Sequence, residues 1–262
     1  MIKLPSVEFY ITNVCNLECR GCNRFNNYKF TGHYYWDDHA SDIEAWSKRI
    51  APDKITIMGG EPRLHPELET WVANLRRLWP DAHIMIQSNG TYMRPEFNTF
   101  YTKYNVGTAI SLHDLETVNE IVEKNPPTDG YIAAFVFHQA AVIKRDSYFV
   151  VHHSAPDEAF RHCGMKSSYT MHSGKLYKCP TMAILPEFKK QFDLRMTDGQ
   201  TALLESYTPM TSDCSDSDLY EFINDKDNTI PQCEFCPDSH IWQNAYGEKI
   251  ITFPNSMMGS PK

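Results

Sequence analysis

Along the first 150 residues, the apolar positions alternate between two periods. Short β-branched and aromatic runs at residues 6–12, 54–58, 83–87 and 106–112 have the length of buried strands. Helical spacing marks 41–50, 66–79, 95–104 and 115–124. The clearest of these is 66–79, where Leu68, Trp71, Val72, Leu75 and Leu78 recur on one face. Ser41 is the expected N-cap of the first helix, with Glu44 three residues on completing a capping box. Two further apolar runs, 131–137 and 147–152, bring the strands to six. Strands alternating with helices specify βαβ units and a parallel sheet, with the working residues at the carboxyl ends of the strands. After about residue 153 the pattern changes. A hairpin is expected over 168–171 and 175–178 around His172-Ser173-Gly174. Short helical stretches, a polar run at 212–218 and a loose tail at 255–262 follow. The expected division is a core over 1–154 and a smaller domain over 155–262.

Composition narrows the class. A chain of 262 residues, 42% hydrophobic and 13% aromatic, has the material for a sizeable core and is not wholly disordered. No run approaches the ~18 apolar residues of a membrane span. The N-terminus enters a strand with no apolar signal core, so the expected location is cytoplasmic. With Lys+Arg 25 against Asp+Glu 33 and a net charge of −8, bulk nucleic-acid binding is disfavoured. The eight cysteines are too sparse for a disulfide scaffold, and in a reducing compartment they point to metal or redox chemistry.

Three of them lie in Cys15-Asn16-Leu17-Glu18-Cys19-Arg20-Gly21-Cys22, just after the first strand. Three thiolates on a tight loop can hold three irons of a 4Fe–4S cluster and leave the fourth open to a chelating small molecule. A zinc site completed by a distant ligand is the alternative. A second set comprises Cys163, Cys179 after the hairpin, and the Cys233-Glu234-Phe235-Cys236 pair. Four thiolates from three segments make a closed site, for zinc or for 4Fe–4S. Cys214 is left over.

The loop Cys-x-x-x-Cys-x-x-Cys after an N-terminal strand resembles the cluster loop of the radical SAM superfamily. The resemblance implies that the open iron chelates S-adenosylmethionine, whose reductive cleavage yields a 5′-deoxyadenosyl radical. One departure is Gly21, where the family often has an aromatic residue. Met58-Gly59-Gly60-Glu61-Pro62 is similar to the family's Gly-Gly-Glu-Pro motif, which holds the amino group of S-adenosylmethionine. Glycines let the backbone approach closely, and Glu61 can accept from an ammonium. Ser88-Asn89-Gly90 resembles a Thr-Asn-Gly stretch beside the methionyl and ribose groups, and Ser111 a ribose or carboxylate contact. The order Cys163, Gly-x-x-x-x-Cys179-Pro, Cys233-x-x-Cys236 resembles a short twitch or SPASM-type extension carrying one auxiliary 4Fe–4S cluster. The implied fold is α/β, a partial (β/α)6 barrel with a small C-terminal auxiliary iron–sulfur domain.

Within the superfamily, a short core followed by one four-cysteine cluster is similar to dehydrogenases that oxidise a secondary alcohol. By that analogy the second cluster takes an electron from the substrate, and a neutral side chain removes the hydroxyl proton. His113 beside Asp114, His138, His152 and His153 follow strands and suit that step, and Arg145 could orient the substrate. His162 adjoins Cys163 and is expected to support the cluster. The implied partners are a small-molecule or peptide substrate and an electron donor such as flavodoxin or ferredoxin. A peptide-modifying enzyme and a non-catalytic zinc-binding module are the competing readings, and among small molecules a polyol, a sugar, or a nucleotide or nucleoside remains open as the substrate. With the first strand opening at Ser6, no leader-binding domain is expected at that end.

Overall fold

A computed structural model of the chain describes residues 1–19, 21–92, 95–111, 132–133, 140–166 and 168–239. The strands are β1 (Ile2–Thr12), β2 (Ile50–Gly59), β3 (His83–Ser88), β4 (Gly107–Ser111), β5 (Ile132–Ala133), β6 (Val142–Lys144), β7 (Phe149–Val151), β8 (Tyr169–His172) and β9 (Lys175–Tyr177). Helices α1 (Ala40–Ser47), α2 (Leu68–Leu78) and α3 (Pro95–Tyr104) connect the first four strands, each of which pairs in parallel with the next. Further helices are α4 (Pro156–Arg161), α5 (Pro180–Gln191), α6 (Asp198–Glu205) and α7 (Asp216–Asn224). The main sheet runs β5-β4-β3-β2-β1-β8-β9. Its first six strands are parallel, and β9 joins β8 antiparallel. Among the described residues the sheet is open at both edges, as a partial barrel is.

The period-2 geometry of strands gives the two faces different chemistry. Val7, Phe9, Ile11, Ile55, Ile57, Ile84 and Ile86 all turn one way and pack with Trp46, Leu68, Trp71, Val72 and Leu75 of the helices. On the other face Glu8 stands opposite Thr56 on one side and Thr170 on the other, and Gln87 and Ser111 follow at the ends of β3 and β4. That polar inner face is where a ligand can be held. A second core, with Tyr10, Phe25, Phe30, Phe149, Phe188 and Phe235, closes over it.

The apolar stripe of α2 is buried as its spacing required. Two expectations change. Helix α1 begins at Ala40, and neither its N-cap residue His39 nor a Ser41 capping box supplies a side-chain cap. Buried Trp36 fixes the entry instead, accepting from the His39 N–H at 3.0 Å and so starting the helix before Ser41 can cap it. The run at 147–152 is not the sixth parallel strand. Its ordered part, β7, pairs antiparallel with β6 in a separate two-stranded sheet across the tight turn at Arg145–Tyr148. The four residues between β6 and β7 allow a hairpin, whereas a parallel pairing of these two strands would need a crossover of a dozen or more. The sixth parallel place falls to β8, on the far side of β1, so the expected hairpin extends the core sheet. Its tip docks on α1 through a 2.9 Å bond from Trp46 Nε1 to the Gly174 carbonyl. No helix among the described residues is long and apolar enough to cross a membrane.

Candidate active site between two cysteine cradles

The first cradle forms where the chain leaves β1. The Cys22 N–H donates to the Cys19 carbonyl at 3.3 Å, a single turn that brings both thiols to one side. Gly21 makes this turn at φ +72°, a left-handed conformation that a bulky side chain there would strain. That is a local reason for glycine at the position where the family often has an aromatic. Phe25, also left-handed at φ 62°, is held by burial against Phe188 of α5, 5.3 Å between ring centres. Cys15, Cys19 and Cys22 then line a cavity of about 70 Å³ with Met58, Gly59, Gly60, Ser88 and Asn89.

The glycines are required by a close approach. The Gly60 N–H donates to the Thr12 carbonyl at 2.7 Å and the Glu61 N–H to the Val14 carbonyl at 2.8 Å. A Cβ on Gly59 would stand 2.3 Å from Thr12 O, and one on Gly60 2.2 Å from Val14 O. Glu61 itself is 0% exposed and lies behind the cavity wall. Its carboxylate accepts from Ser88 Oγ (2.8 Å), the Asn89 N–H (2.7 Å) and the Arg63 N–H (3.0 Å), while Pro62 opens the short 3-10 turn that follows. Burial pushes the Glu61 carboxyl upward, against the Asn89 and Arg63 N–H groups and the Arg63 charge. Glu61 therefore ties the exit of β2 to the exit of β3. Asn89 extends that tie to the loop, donating to Asn16 Oδ1 at 2.9 Å and approaching Cys15 Sγ at 3.9 Å.

The second cradle gathers Cys163 just past α4, Cys179 at the N-cap of α5, and Cys233 and Cys236 around the 3-10 turn Pro231–Phe235. The last pair repeats the geometry of the first cradle, with the Cys236 N–H donating to the Cys233 carbonyl at 3.0 Å. All four line one cavity of about 210 Å³. Lys226 fastens the segments, its Nζ donating to the carbonyls of Met165 (3.4 Å), Ser168 and Lys178 (2.6 Å). Burial lowers its ammonium to about 8, opposed by Cys179, Cys163 and Glu8. Because α5 starts at Cys179 and its Phe188 packs on Phe25, one helix spaces the two cradles.

Asn23, Arg24, Gln87 and Ser111 line both cavities. This shared wall is the feature the sequence did not reveal, Ser111 excepted. Gln87 Nε2 donates to Ser111 Oγ at 3.1 Å. Arg24 folds back from the loop onto the inner face of the sheet, donating through Nη2 to Glu8 Oε2 at 2.7 Å and to Met58 Sδ at 3.2 Å. Burial pushes the Glu8 carboxyl up, opposed by Arg24, Lys226 and Lys54. The available signal was Glu8, a carboxylate inside the apolar run Val7-Glu8-Phe9-Tyr10-Ile11.

Of the other expected residues, Ser88, Asn89, Gly59 and Gly60 stand in the first cradle. Arg145 is exposed in the β6–β7 turn, and His152 is half-buried with Nε2 3.2 Å from the Ala140 carbonyl; neither lines a cavity. Burial lowers the His152 imidazole. The displacement of β7 from the main sheet accounts for both positions. His153 pairs with Glu234 at 2.7 Å, and His162 ends α4 beside Cys163. His113, Asp114 and His138 lie outside the described residues. Cys214 sits apart with Arg49, whose Nη1 donates to its sulfur at 3.4 Å.

The donor chemistry fits thiolate-ligated metal sites. Burial pushes Cys15 to about 11, Cys19 to about 12 and Cys179 to about 11, and raises Cys233 and Cys236. The cysteines also repel one another when charged, so a bound cationic centre is what would hold them as thiolates. N–H groups already approach the sulfurs, from Leu17 to Cys15 at 3.5 Å and from Met165 to Cys163 at 3.4 Å. A single zinc draws its sulfurs together with bonds of about 2.3 Å. A 4Fe–4S cluster instead spreads its ligands, one to each iron.

Residues 9–135 match the family model of the Radical SAM superfamily. An S-adenosylmethionine-dependent nucleotide dehydratase of Lacinutrix mariniflava is 28% identical over 124 residues, covering 45% of this chain and 25% of that protein. The chain therefore spans a quarter of the length of that curated relative. The crystal structure of BtrN in complex with AdoMet and 2-DOIA superposes with a TM-score of 0.56 at 14% identity, over 95% of this chain and 100% of that one. At that identity the likeness shows the fold. Streptococcus suis SuiB bound to S-adenosylmethionine gives a TM-score of 0.37 at 17% identity, over 46% of this chain and 27% of that one. With its three-cysteine loop set at the exit of the first of several parallel strands, the chain resembles the Radical SAM superfamily over residues 9–135 and shares the fold of BtrN along nearly its whole length.

Proposed function

We propose that this chain is a radical S-adenosylmethionine oxidoreductase whose small, hydroxyl-bearing substrate sits between two 4Fe–4S clusters. The observation that carries this reading is the wall of Asn23, Arg24, Gln87 and Ser111 common to both cysteine cavities. Anything held against it lies between the two sets of thiolates. Cys15, Cys19 and Cys22 would hold the first cluster, and Cys163, Cys179, Cys233 and Cys236 the second. When bound, the clusters supply one-electron chemistry: reductive cleavage of S-adenosylmethionine to a 5′-deoxyadenosyl radical at the first, and acceptance of an electron at the second.

The chain's own residues do the rest. The backbone at Gly59-Gly60 and the side chains of Ser88 and Asn89 offer S-adenosylmethionine a polar wall beside the three-cysteine loop. Glu61 holds that wall in place from behind. Gln87 and Ser111, already bonded to each other, can present a hydroxyl donor and an amide carbonyl to the substrate. Phe160, Pro180 and Ile230 give the larger cavity an apolar side that limits water around a reactive carbon. A volume of about 210 Å³, shared with the cluster, suits a single ring better than a peptide. In this the chain resembles 2-deoxy-scyllo-inosamine dehydrogenase, and the net change would be loss of one carbon-bound hydrogen atom to the 5′-deoxyadenosyl radical, one hydroxyl proton, and one electron to the second cluster, to give a ketone. A flavodoxin or ferredoxin would serve as the electron donor.

The test is anaerobic reconstitution followed by reductant and S-adenosylmethionine. 5′-Deoxyadenosine should form, and polyols or cyclitols that raise its yield should pass deuterium from a labelled carbinol carbon into it. Bound zinc without acid-labile sulfide would end the radical reading. Stimulation by peptides alone would replace the substrate class.

A further inference from the structure

We propose that Arg24 anchors an oxyanion on the substrate, so that the molecule between the cradles is a hydroxyl compound carrying a phosphate or a carboxylate. The proposal rests on the reading above for the word substrate, but the anion site itself stands on the side chain. Arg24 is 3% exposed and lines both cavities. Only Nη2 has partners, Glu8 and the Met58 sulfur. Nε and Nη1 are buried with no partner, which leaves three of the five guanidinium donors unspent. Buried donors are rarely left so, and a group at the edge of a ligand cavity is completed by what the cavity binds.

The charge around the larger cavity agrees. Its lining includes Arg24, Lys166, Lys178 and Lys226 and no aspartate or glutamate, in a chain whose net charge is −8. The lysines are already engaged. Lys178 Nζ donates to the Asp225 carbonyl and carboxylate, Lys226 to three carbonyls, and Lys166 to the Arg161 carbonyl while lying over the Phe160 ring. Lys226 also stands near Cys163 and Cys179, and Lys178 near Cys233. Arg24 is the cation on the shared wall with donors to offer, and a delocalised fork is suited to phosphate and carboxylate oxygens. Glu8 behind it fixes the orientation of the guanidinium and removes part of its charge.

The test uses the reconstituted protein and two simple probes, inorganic phosphate and acetate, each titrated against chloride at constant ionic strength with the thermal midpoint as readout. Wild-type protein should show a saturable rise with at least one. A larger response to phosphate names a phosphorylated substrate, and a larger response to acetate names a carboxylate. Arg24→Lys keeps a cation against Glu8 and should weaken the half-saturating concentration at least tenfold with iron content unchanged. Glu8→Gln keeps a hydrogen-bonding side chain but leaves the guanidinium less neutralised, and should tighten the anion several-fold, an effect no purely structural role produces. Absence of a saturable response in the wild type, or an equal response in Arg24→Lys, would overturn the proposal. So would a tenfold loss of S-adenosylmethionine affinity in Arg24→Lys with the anion response intact, since the guanidinium would then serve that cofactor's carboxylate. Iron, sulfide and 5′-deoxyadenosine measured on the same wild-type samples report separately on the radical reading, so either conclusion can fail without the other.

Discussion

Replacing Gly60 with alanine tests the closest backbone approach in the site. The added methyl would meet Val14 O at 2.2 Å, Val14 C at 2.6 Å and Asn13 O at 3.0 Å, all of them backbone atoms with no flexible side chain to give way. Either the exit of β2 moves off the exit of β1, or the cysteine loop moves with Val14. Overpacking of this kind costs about 1–3 kcal/mol. The shift also endangers the bonds from the Gly60 and Glu61 N–H groups, at 2.7 and 2.8 Å, each contributing roughly 1 kcal/mol. The expected loss is about 2–4 kcal/mol, read as a lower urea midpoint in anaerobic unfolding. Iron bound by the three-cysteine loop should fall with it, since Val14 directly precedes Cys15. Gly199→Ala is the internal control. It lies in the first turn of α6 with nothing nearer to the new methyl than Thr197 Oγ1 at 3.9 Å, and should be neutral or stabilise by up to about 1 kcal/mol. A Gly60→Ala protein within about 0.5 kcal/mol of wild type, with full iron content, would refute the account of why two glycines stand here.

Other consequences can be checked in the same way. His65 is buried and neutral, Nε2 donating to the Tyr34 carbonyl at 2.9 Å and Nδ1 accepting from the Glu67 N–H at 3.0 Å, and burial lowers its imidazole from 6.5 to about 4. As the pH falls below 6.5 the unfolded chain gains a proton that the folded chain refuses. Stability should therefore drop between pH 6.5 and 4, by up to ~3 kcal/mol, and His65→Gln should flatten that part of a plot of thermal midpoint against pH; an unchanged acid limb would contradict the assignment. Lys226→Met removes the ammonium that joins the carbonyls beside Cys163 and Cys179, and should lower bound iron from about eight to about four per chain while the S-adenosylmethionine-responsive cluster persists. Iron analysis with and without that cofactor decides it. Phe188→Ala opens the contact that spaces the cradles, and should cost about 3–5 kcal/mol in the urea midpoint, as truncation of a fully buried phenylalanine does.

The parts of the fold legible in the sequence were those set by local periodicity. The apolar face of α2 and the strands β1 to β4 follow directly from it, as does the placing of Cys15 and Ser88-Asn89 at strand exits. What stayed hidden was decided by pairing across long separations. Residues 147–152 and 169–172 are equally strand-like, and only the register of Thr170 against Glu8 shows which of them joins the parallel sheet. Glu61 illustrates a different limit. Its motif marks it as a ligand residue, but nothing in the order Gly-Gly-Glu-Pro shows that its carboxylate turns back onto Ser88, Asn89 and Arg63. Arg24 was hidden because its partner lies sixteen positions earlier on another element. An isolated charge in an apolar strand, here Glu8, is the trace such a pair leaves.

Under the proposed function the cysteines form two cluster sites, of which the three-cysteine one meets S-adenosylmethionine. Iron and sulfide analysis combined with electron paramagnetic resonance, on wild type and on a Cys15→Ala, Cys19→Ala, Cys22→Ala triple variant, tests it most directly. About eight irons and eight sulfides are expected in the wild type, about four of each in the variant, and a signal perturbed by S-adenosylmethionine in the wild type alone. Zinc without sulfide in the wild type, or a perturbation that survives in the triple variant, would contradict it.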